Sequence, residues 1–517
     1  MDILGQLFGA VLGIAVFLWL FDRIVGLPFR IHGRNLFRPV AKGTTSILEL
    51  GIAVVRAVLR FFFPETFGLG REKARFLGAF ERRKILNPHN AGLVLDGDSA
   101  RLSPSDSFRN CLVVATTGGG KTSGFIIPNI LRLDRASIVI TDPSGALYEK
   151  TSGDLRRRGF EVLCLDPLRL DRSVRYNPLA TADTQRAIGE TSHILSRSAN
   201  YSGDKFWTDG SEDILTILIR CLKRHPDTRE YCNLANVQYL LNNFGDGSGI
   251  ADFIVKYADE TTYQQFKGFV SNAENTMQGF ISTAKACLKA LLDPDLAELT
   301  ARNTFEFADL RSRKTALFLI IPQNRISYYA FLMNLFYTNL FHYCLEDTHI
   351  TDKSLPVYFL LDEFGHLTIP DFPSIITTTR ARRISISIIL QSLSQLEARY
   401  GRFDAHTIVN GGVATRMFFS GLDIETTEML QKVLGVRRRE ILDTDDRRHI
   451  KDDNLLDASD IRAMGDDEAL CLFANKRAMK LRVVPYFRQG DMLRRTRQPA
   501  FTPPATMTTG VRYVPLR

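Results

Sequence analysis

The stretch VVATTGGGKTSGFIIPNIL, residues 113–131, places three glycines, a lysine and a threonine between two apolar segments. A strand before such a loop and a helix after it form the context of a phosphate-binding loop. Glycines tolerate unusual backbone dihedrals and bring no side chain into the space that an anion needs. Backbone N–H groups of the loop and the positive end of the following helix would both face the anion. The stretch therefore predicts a nucleotide site.

The polar residues of this loop have expected roles in holding a nucleotide with its magnesium ion. Lys121 would bridge the β- and γ-phosphates, and the hydroxyl of Thr122 would ligate Mg²⁺. The residues expected to line the phosphates are Thr117, Gly118, Gly119, Gly120, Lys121 and Thr122. Ala115 stands where the usual pattern begins with glycine, and an alanine fits there if its φ is negative. A glycine-rich turn without a ligand is the alternative interpretation.

Two further apolar segments end in polar residues suited to nucleotide hydrolysis. VYFLLDEFG, residues 357–365, contains Asp362, which would hold Mg²⁺ through its water shell, and Glu363, which would polarise the attacking water. ISISIILQ, residues 384–391, ends in Gln391, which would contact the γ-phosphate. The two acids could instead cap a loop, and Gln391 could be an ordinary polar residue at a strand end. Together with the loop, these segments predict an ATPase that uses ATP and Mg²⁺.

Strand-like and helical segments alternate along most of the chain. Near-continuous apolar strands joined by helices are typical of a mostly parallel sheet that helices cover on both faces. The segment 185–310 differs, because it has helical periodicity and almost no strand signal. We therefore predict an α/β nucleotide-binding domain, residues 65–184 and 311–487, interrupted by an all-α insertion at 185–310. Residues 488–517, rich in Arg, Pro and Thr, are expected to form a basic flexible tail.

Residues 1–64 are expected to be a membrane anchor. Residues 3–21 carry no charge and, as a helix, would reach about 28 Å, close to the roughly 30 Å of a bilayer core. Basic residues follow this segment, so the positive-inside rule predicts that the bulk of the chain is cytoplasmic. Residues 47–63 are apolar with a charged stripe and could span the membrane or lie in its interface, and the charge bias favours the interface. A cleaved signal peptide is disfavoured, because basic residues before the apolar run and a small-residue cleavage site are both missing.

The composition is that of a globular chain with a modest excess of positive charge. Of 517 residues, 45% are hydrophobic and 24% charged, and the net charge of +9 favours an anionic partner such as nucleic acid or a lipid surface. Seven cysteines are scattered singly and nine histidines do not cluster. This pattern argues against a disulfide framework and against a structural zinc site.

Several motifs occur together in a characteristic order. ATTGGGKTSGFIIPNIL, DPSGALYEKTSGDLRRRGFEVLCLDP, YNPLA, LLDEFGHL and ILQSLSQL resemble the motifs of type IV secretion system coupling proteins, the conjugation ATPases of the TraG, TraD and VirD4 type. The resemblance covers residues 105–487. It implies a RecA-like P-loop motor, anchored in the bacterial inner membrane, that assembles as a homo-hexamer. Such a motor passes single-stranded DNA with its relaxase, protein effectors or both to a type IV secretion channel. Two features depart from the family: Ser144 replaces a common lysine, and the N-terminus lacks two clean spans around a periplasmic domain.

A hexameric ring implies that a residue of one subunit completes the site of the next. Motors of this type commonly supply an arginine, and TTTRARRISISIILQ offers three of them just before the strand that carries Gln391. Arg382 is the first candidate for this arginine, and Arg380 is the second. Three solvated arginines at a helix end are the alternative interpretation.

Two other functions compete with the coupling ATPase. A chromosome-partitioning DNA translocase shares the chemistry, but such proteins usually carry a larger membrane domain and a C-terminal winged helix. A cargo-docking platform would bind nucleotide only to hold a ring together. The presence of Lys121, Thr122, Asp362 and Glu363 favours turnover over the platform.

Overall fold

The computed structural model of the chain describes residues 74–198, 204–246, 250–346, 350–351, 353–442, 448–506 and 508–516, and the backbone of 30–31 and 34–35. The expected anchor segments 3–21 and 47–63 therefore lie outside the described residues. Between these two segments, the structure describes only the backbone of residues 30–31 and 34–35. Within the described part of the chain, no helix combines the length and the apolar character needed to cross a membrane.

The chain divides into two units. The first comprises Met1–Ala74 and Gly435–Leu455, and the second comprises Arg75–Leu434 and Leu456–Arg517. The described residues of the first unit form two antiparallel pairs of strands, Arg30–Ile31 with Arg34–Asn35 and Val436–Leu442 with Arg448–Asn454. The second unit contains every motif named above.

A nine-stranded sheet forms the centre of the second unit. Its strands are β1 (Cys111–Val114), β2 (Ser137–Thr141), β3 (Glu161–Leu165), β4 (Thr315–Leu319), β5 (Val357–Leu361), β6 (Ile384–Leu390), β7 (Thr415–Phe419), β8 (Glu468–Phe473) and β9 (Met479–Arg482). Their order across the sheet is β9-β8-β7-β1-β6-β5-β2-β4-β3. Strands β1 to β7 run parallel, whereas β8 is antiparallel to both neighbours. Every residue of β1, β2, β4, β5 and β6 is buried, as expected of parallel strands covered on both faces. The mostly parallel α/β fold is confirmed.

Helices surround this sheet and fill the long connection between β3 and β4. In chain order they are α1 (Ala79–Ile85), α2 (Pro104–Ser107), α3 (Ile127–Arg132), α4 (Ala146–Arg157), α5 (Gln185–Ser198), α6 (Lys205–Arg224), α7 (Leu234–Asn242), α8 (Ile250–Tyr257), α9 (Glu260–Val270), α10 (Glu274–Cys287), α11 (Pro294–Leu299), α12 (Asp309–Ser312), α13 (Ile326–Glu346), α14 (Phe372–Thr378), α15 (Leu393–His406), α16 (Ile424–Leu434), α17 (Ala458–Arg462) and α18 (Gly490–Thr496).

The described residues between β3 and β4 contain helices and no strand, in agreement with the predicted all-α insertion. Helix α6 is the central element, since it packs against α5, α9 and α10 and buries twelve residues, among them Ile214, Leu218 and Leu222. These three follow the four-residue spacing of one helical face, which explains why the sequence pattern identified the helix. The exact domain boundaries at 184/185 and 310/311 stay predictions.

The register of the central strands brings three loops to one edge of the sheet. Val114 of β1 pairs with Leu390 of β6, and Leu361 of β5 pairs with Ile388 of the same strand. Parallel strands end at the same edge, and ligands of open α/β sheets bind outside these carboxyl ends. The glycine loop and the polar residues that follow β5 and β6 therefore lie side by side.

The C-terminal segment differs from the expected flexible tail. It begins with α18, where Arg495 pairs with Asp154 at 2.7 Å, and Val514 near its end is buried. Asn236 of α7 donates from Nδ2 to the carbonyl of Arg512 at 2.9 Å and accepts from the N–H of Val514 at 2.8 Å. The composition of residues 488–517 suggested a mobile tail. The residues that hold this segment, Asp154 and Asn236, lie far away in the sequence, and local composition carries no information about such contacts.

The tail attachment predicts a specific effect of Asn236→Ala. Each lost hydrogen bond is worth about 1 kcal/mol, so losing two corresponds to roughly 30-fold faster opening of the tail. Hydrogen–deuterium exchange of the peptide covering residues 508–516 measures this opening. Asn243→Ala is the matched control, because the Nδ2 of Asn243 donates to the carbonyl of Tyr239 in α7 and not to the described C-terminal residues. A wild-type tail that already exchanges as fast as an unfolded peptide contradicts the packed arrangement.

Candidate active site

The glycine loop after β1 forms an open cradle. Gly118 and Gly120 have φ of 81° and 85°, in the left-handed region that side chains disfavour. A Cβ atom added at Gly118 would meet no heavy atom within 4 Å. The N–H of Ala115 donates to the carbonyl of Leu390 at 3.0 Å and ties the loop to the end of β6. Positive φ values occur at Gly118 and Gly120 but not at Ala115, so alanine fits the first position of the motif.

The helix after the loop starts with a wide turn. Residues Thr122–Ile126 form a π-helical turn in which the N–H of Ile127 donates to the carbonyl of Thr122. Pro128 follows and cannot donate to the carbonyl of Gly124, which accounts for the irregular helix start. Thr122 is the first residue of this turn, directly after Lys121, and its hydroxyl-bearing side chain therefore belongs to the rim of the cradle.

The side chain of Lys121 is buried against two carboxylates. The residue is 8% exposed, and its Nζ lies 2.6 Å from Oε1 of Glu363 and 4.0 Å from Oδ1 of Asp362. A buried ammonium group is strongly unfavourable unless it is paired. The structure thus brings together the lysine of one motif and the two acids of another, 241 and 242 residues apart along the chain.

Glu363 is held from three directions in an unusual backbone conformation. Its φ and ψ of 55° and 37° are left-handed, a costly conformation for a residue with a Cβ. Nε2 of Gln391 donates to both carboxylate oxygens, at 3.2 Å and 3.0 Å. Nε2 of His366 lies 4.0 Å from Oε2 of Glu363. Gln391 therefore contacts the predicted base directly, where the sequence had suggested a contact with the γ-phosphate.

His366 and Gln395 are site residues that the sequence reasoning missed. His366 belongs to the quoted motif LLDEFGHL and ends the short helical turn Phe364–His366, and the sequence gave no reason to expect its ring near Glu363. Gln395 accepts from the N–H of Gln391 through Oε1 at 3.0 Å and so fixes the end of β6. It lies within the quoted motif ILQSLSQL, which is the signal that could have identified it.

Asp362 is electrostatically costly in this site. Burial raises the pKa of its carboxyl to about 6, against the opposing charge of Lys121 and with a further increase from the charge of Glu363. Its Oδ1 accepts from the N–H of Glu363 at 3.0 Å. A divalent cation near this carboxylate would favour its ionised form.

The donor set fits Mg²⁺ bound together with phosphates. Mg²⁺ prefers oxygen ligands, keeps several waters, and usually takes one or two protein ligands beside the substrate phosphates. Thr122 and Asp362 supply such oxygens at the rim of the cradle. Among the described residues, no group of three or more His, Cys, Asp or Glu side chains could hold a metal ion by itself.

Arg382 does not join this site within one chain. It ends the short helix Thr379–Arg382 before β6, whereas Gln391 follows the other end of that strand. Seven strand residues span about 23 Å at roughly 3.3 Å each, so the two residues lie at opposite edges of the sheet. Nη2 of Arg311 donates to the carbonyl of Arg382 at 2.8 Å and fixes the turn there.

Comparisons with known proteins agree with this architecture. The family described as type IV secretory system conjugative DNA transfer matches residues 81–509. The chain is 26% identical over 400 residues to Protein VirD4 of Rhizobium radiobacter and 27% identical over 405 residues to Protein VirD4 of Agrobacterium fabrum (strain C58 / ATCC 33970). These alignments cover 73% and 74% of this chain but 56% and 59% of the relatives, so the chain spans little more than half of their length.

Solved structures show the same fold. The bacterial conjugative coupling protein TrwBdeltaN70 superposes with a TM-score of 0.66 at 16% identity, over 83% of this chain and 96% of that one. The plasmid coupling protein TrwB in complex with ADP and Mg²⁺ superposes with a TM-score of 0.63 at 17% identity, over 80% and 94% of the two chains. The predicted RecA-like P-loop fold class is confirmed.

The raised pKa of Asp362 predicts that Asp362→Asn stabilises the protein without nucleotide. Because the folded-state pKa of about 6 exceeds the usual 3.8, the stability linked to this carboxyl is present at low pH and is lost as the pH rises through about 6. The penalty of ionisation approaches roughly 3 kcal/mol above that pH. We expect the thermal midpoint of Asp362→Asn to exceed that of wild type by more at about pH 8 than at about pH 5. Asp404→Asn, which makes the same substitution at an exposed position of α15, is the matched control.

Proposed function

The chain belongs to the type IV secretory system conjugative DNA transfer family, and from this membership we propose that it is a ring-forming coupling ATPase. In this proposal it binds ATP with Mg²⁺ and hydrolyses it. The energy drives single-stranded DNA with its relaxase, protein effectors or both into a type IV secretion channel.

The observation that carries the proposal is the convergence of Lys121, Asp362, Glu363 and Gln391 beside the glycine loop. These are the ammonium, magnesium-binding, base and amide groups that phosphoryl transfer from ATP requires. TrwB, which shares the fold, has been solved with the ATP analogue ADPNP and with ADP and Mg²⁺. Those ligands support ATP and Mg²⁺ as the ligands of this chain.

Binding of nucleotide would rearrange the buried ion pair. Lys121 would leave Glu363 for the β- and γ-phosphate oxygens, and the loop N–H groups from Gly118 to Thr122 would donate to the phosphates. Thr122 would ligate Mg²⁺ directly, and Asp362 would hold it through water. When bound, Mg²⁺ neutralises negative charge on the phosphates.

Turnover would depend on the carboxylate that Lys121 releases. Glu363, freed from the lysine, would polarise the water that attacks the γ-phosphate. Gln391 would keep its amide on Glu363 and orient that carboxylate. We therefore assign Gln391 a positioning role.

A neighbouring subunit would supply the remaining positive charge. We propose a homo-hexamer in which Arg382 of one subunit contacts the nucleotide of the next, because its place at the opposite edge of the sheet prevents action within the same chain. We also propose that residues 1–64 anchor the ring in the bacterial inner membrane, with the bulk of the chain in the cytoplasm.

ATP binding and turnover should separate by residue. Lys121→Ala should weaken ATP binding and abolish hydrolysis, because it removes the charge that faces the phosphates. Glu363→Gln should keep most of the binding and lower the hydrolysis rate by about 10²- to 10⁴-fold, the usual contribution of a general base. Binding of a fluorescent ATP analogue and phosphate release measure the two properties. Glu397→Gln, at an exposed carboxylate of α15, is the control and should behave as wild type.

The same two measurements also distinguish the alternative interpretations. Wild-type hydrolysis by Glu363→Gln would show that another group acts as the base. ATP binding without any hydrolysis by the wild-type chain, with and without single-stranded DNA, would favour the cargo-docking platform over the motor.

The role of Arg382 predicts complementation between two inactive chains. Arg382→Ala should lower hydrolysis by roughly 10³- to 10⁵-fold, the range known for such arginines. Mixed rings of Arg382→Ala and Lys121→Ala chains should regain part of the activity, because some interfaces pair an intact loop with an intact arginine. A chain carrying both substitutions should remain inactive, and Arg135→Ala, at an exposed arginine before β2, should be active alone. Full activity of Arg382→Ala by itself contradicts the assignment.

A further inference from the structure

A second charged cavity lies away from the candidate active site. A cleft of about 970 Å³ opens between the end of α4 and the end of α18 with the residues that follow it. We call it the arginine cleft, after the five arginines that line it, Arg157, Arg158, Arg494, Arg495 and Arg497. Two carboxylates, Asp134 and Asp154, also line it.

The arginine cleft lies at the amino ends of the strands. Asp134 precedes β2, and Arg158 lies between the end of α4 and the start of β3. The glycine loop lies at the opposite edge, after the carboxyl end of β1. Five strand residues span about 17 Å, so the cleft is separate from the nucleotide site.

Two of the five arginines have a structural use. Arg495 donates to Oδ2 of Asp154 at 2.7 Å and to the carbonyl of Leu131 at 2.6 Å. Arg158 donates to the carbonyl of Ile130 at 3.2 Å and to that of Leu133. These carbonyls belong to the last turn of α3 and to its C-cap residue Leu133, where a helix leaves its acceptors without partners. Both guanidinium groups therefore close a helix end.

The other three arginines have no comparable structural use. The side chain of Arg157 is 61% exposed, and its contact with Asp154, at 3.4 Å, is with a carboxylate that Arg495 already holds. Arg494 and Arg497 are exposed, and no carboxylate of the described residues lies within ion-pair distance of either. Five guanidinium groups face two carboxylates, so the cleft carries an excess of positive charge. Burial, and next the charge of Arg495, lower the pKa of Arg158, as expected where cations crowd together.

A comparison within the chain supports this interpretation. The cavity of about 490 Å³ beside the start of α4 also contains arginines. There, however, Arg172 bonds to both Glu149 and Asp166, at 3.0 Å and 2.8 Å, and Arg169 pairs with Asp171. The arginine cleft differs because its exposed guanidinium groups outnumber its acids.

We propose that the arginine cleft binds the phosphate backbone of single-stranded nucleic acid, which under the proposed function is the DNA in transit. Guanidinium groups match phosphate oxygens in a bidentate manner. No aromatic side chain is among the described residues that line the cleft, so bases have nothing to stack on and binding is independent of sequence. Pro499 is its one apolar lining residue in the described chain, which disfavours insertion into a lipid surface.

The test measures binding of a fluorescein-labelled single-stranded oligonucleotide to the full-length chain in detergent, by anisotropy over a range of salt concentrations. Arg494→Glu with Arg497→Glu should weaken binding by at least about tenfold. The slope of log K against log salt concentration should become shallower by about 1.4, which is about 0.7 for each lost phosphate contact. Arg186→Glu with Arg482→Glu is the control, because it makes the same charge change at exposed arginines of α5 and β9. The control pair should bind as wild type.

Two further variants distinguish contact from charge alone. Arg494→Lys with Arg497→Lys keeps the charge and should retain most of the binding and its salt dependence. Gly153→Ala removes no charge, but its Cβ would collide with the carbonyl oxygen of Pro499, where the C-terminal segment crosses α4. It should displace one wall of the cleft and weaken binding.

The remaining readouts separate this proposal from the proposed function. Basal ATPase activity of the glutamate pair should equal that of wild type, since the cleft lies outside the nucleotide site. Binding of the glutamate pair equal to that of the control pair overturns the proposal. The proposal is also overturned if the glutamate pair loses binding to anionic phospholipid vesicles while its oligonucleotide binding is unchanged. That result would favour a lipid headgroup site. A wild-type chain without ATPase activity would contradict the proposed function and leave the binding comparison intact.

Discussion

The ammonium group of Lys121 is buried, and its pairing with Glu363 at 2.6 Å constrains the whole site. Removing one partner of a buried ion pair costs about 3–5 kcal/mol, so the carboxylate has to be in place wherever the lysine is. The strand order β1-β6-β5, with all three strands parallel, brings the loop after β1 beside the acids after β5. Under the proposed function, the phosphates of a nucleotide would replace that carboxylate, because they too are negatively charged.

The same edge of the sheet holds several unfavourable features that the surrounding structure tolerates. Glu363 adopts a left-handed backbone, and burial raises the pKa of Asp362. Strain of about 1–3 kcal/mol persists only where neighbouring structure over-determines it, and such strain tends to accumulate at functional sites. Here Asp362 directly follows the buried strand β5, and the amide of Gln391 holds the carboxylate of Glu363.

The two ends of the parallel strands hold different charged groups. At the carboxyl ends, Asp362 and Glu363 lie against the buried Lys121, whereas Arg382 and the arginine cleft lie at the amino ends. Helix α4 runs from one edge to the other, and the C-terminal segment crosses it at Gly153, where only a glycine allows the close approach to Pro499. The segment continues to Asn236 of α7 and so links the nucleotide-binding part of the fold to the helical insertion.

The sequence by itself determined the α/β class, the helical character of the insertion and the candidate groups Lys121, Thr122, Asp362, Glu363 and Gln391. Local patterns suffice for these, because strand and helix periodicity and phosphate-loop chemistry are written in neighbouring residues. Tertiary structure alone decided which groups touch: Gln391 on Glu363, His366 beside it, and Arg382 at the far edge. It also decided that Phe501 bonds to α4 and that Val514 bonds to α7. Contacts between residues hundreds of positions apart depend on strand order and register, and local composition does not encode either of them.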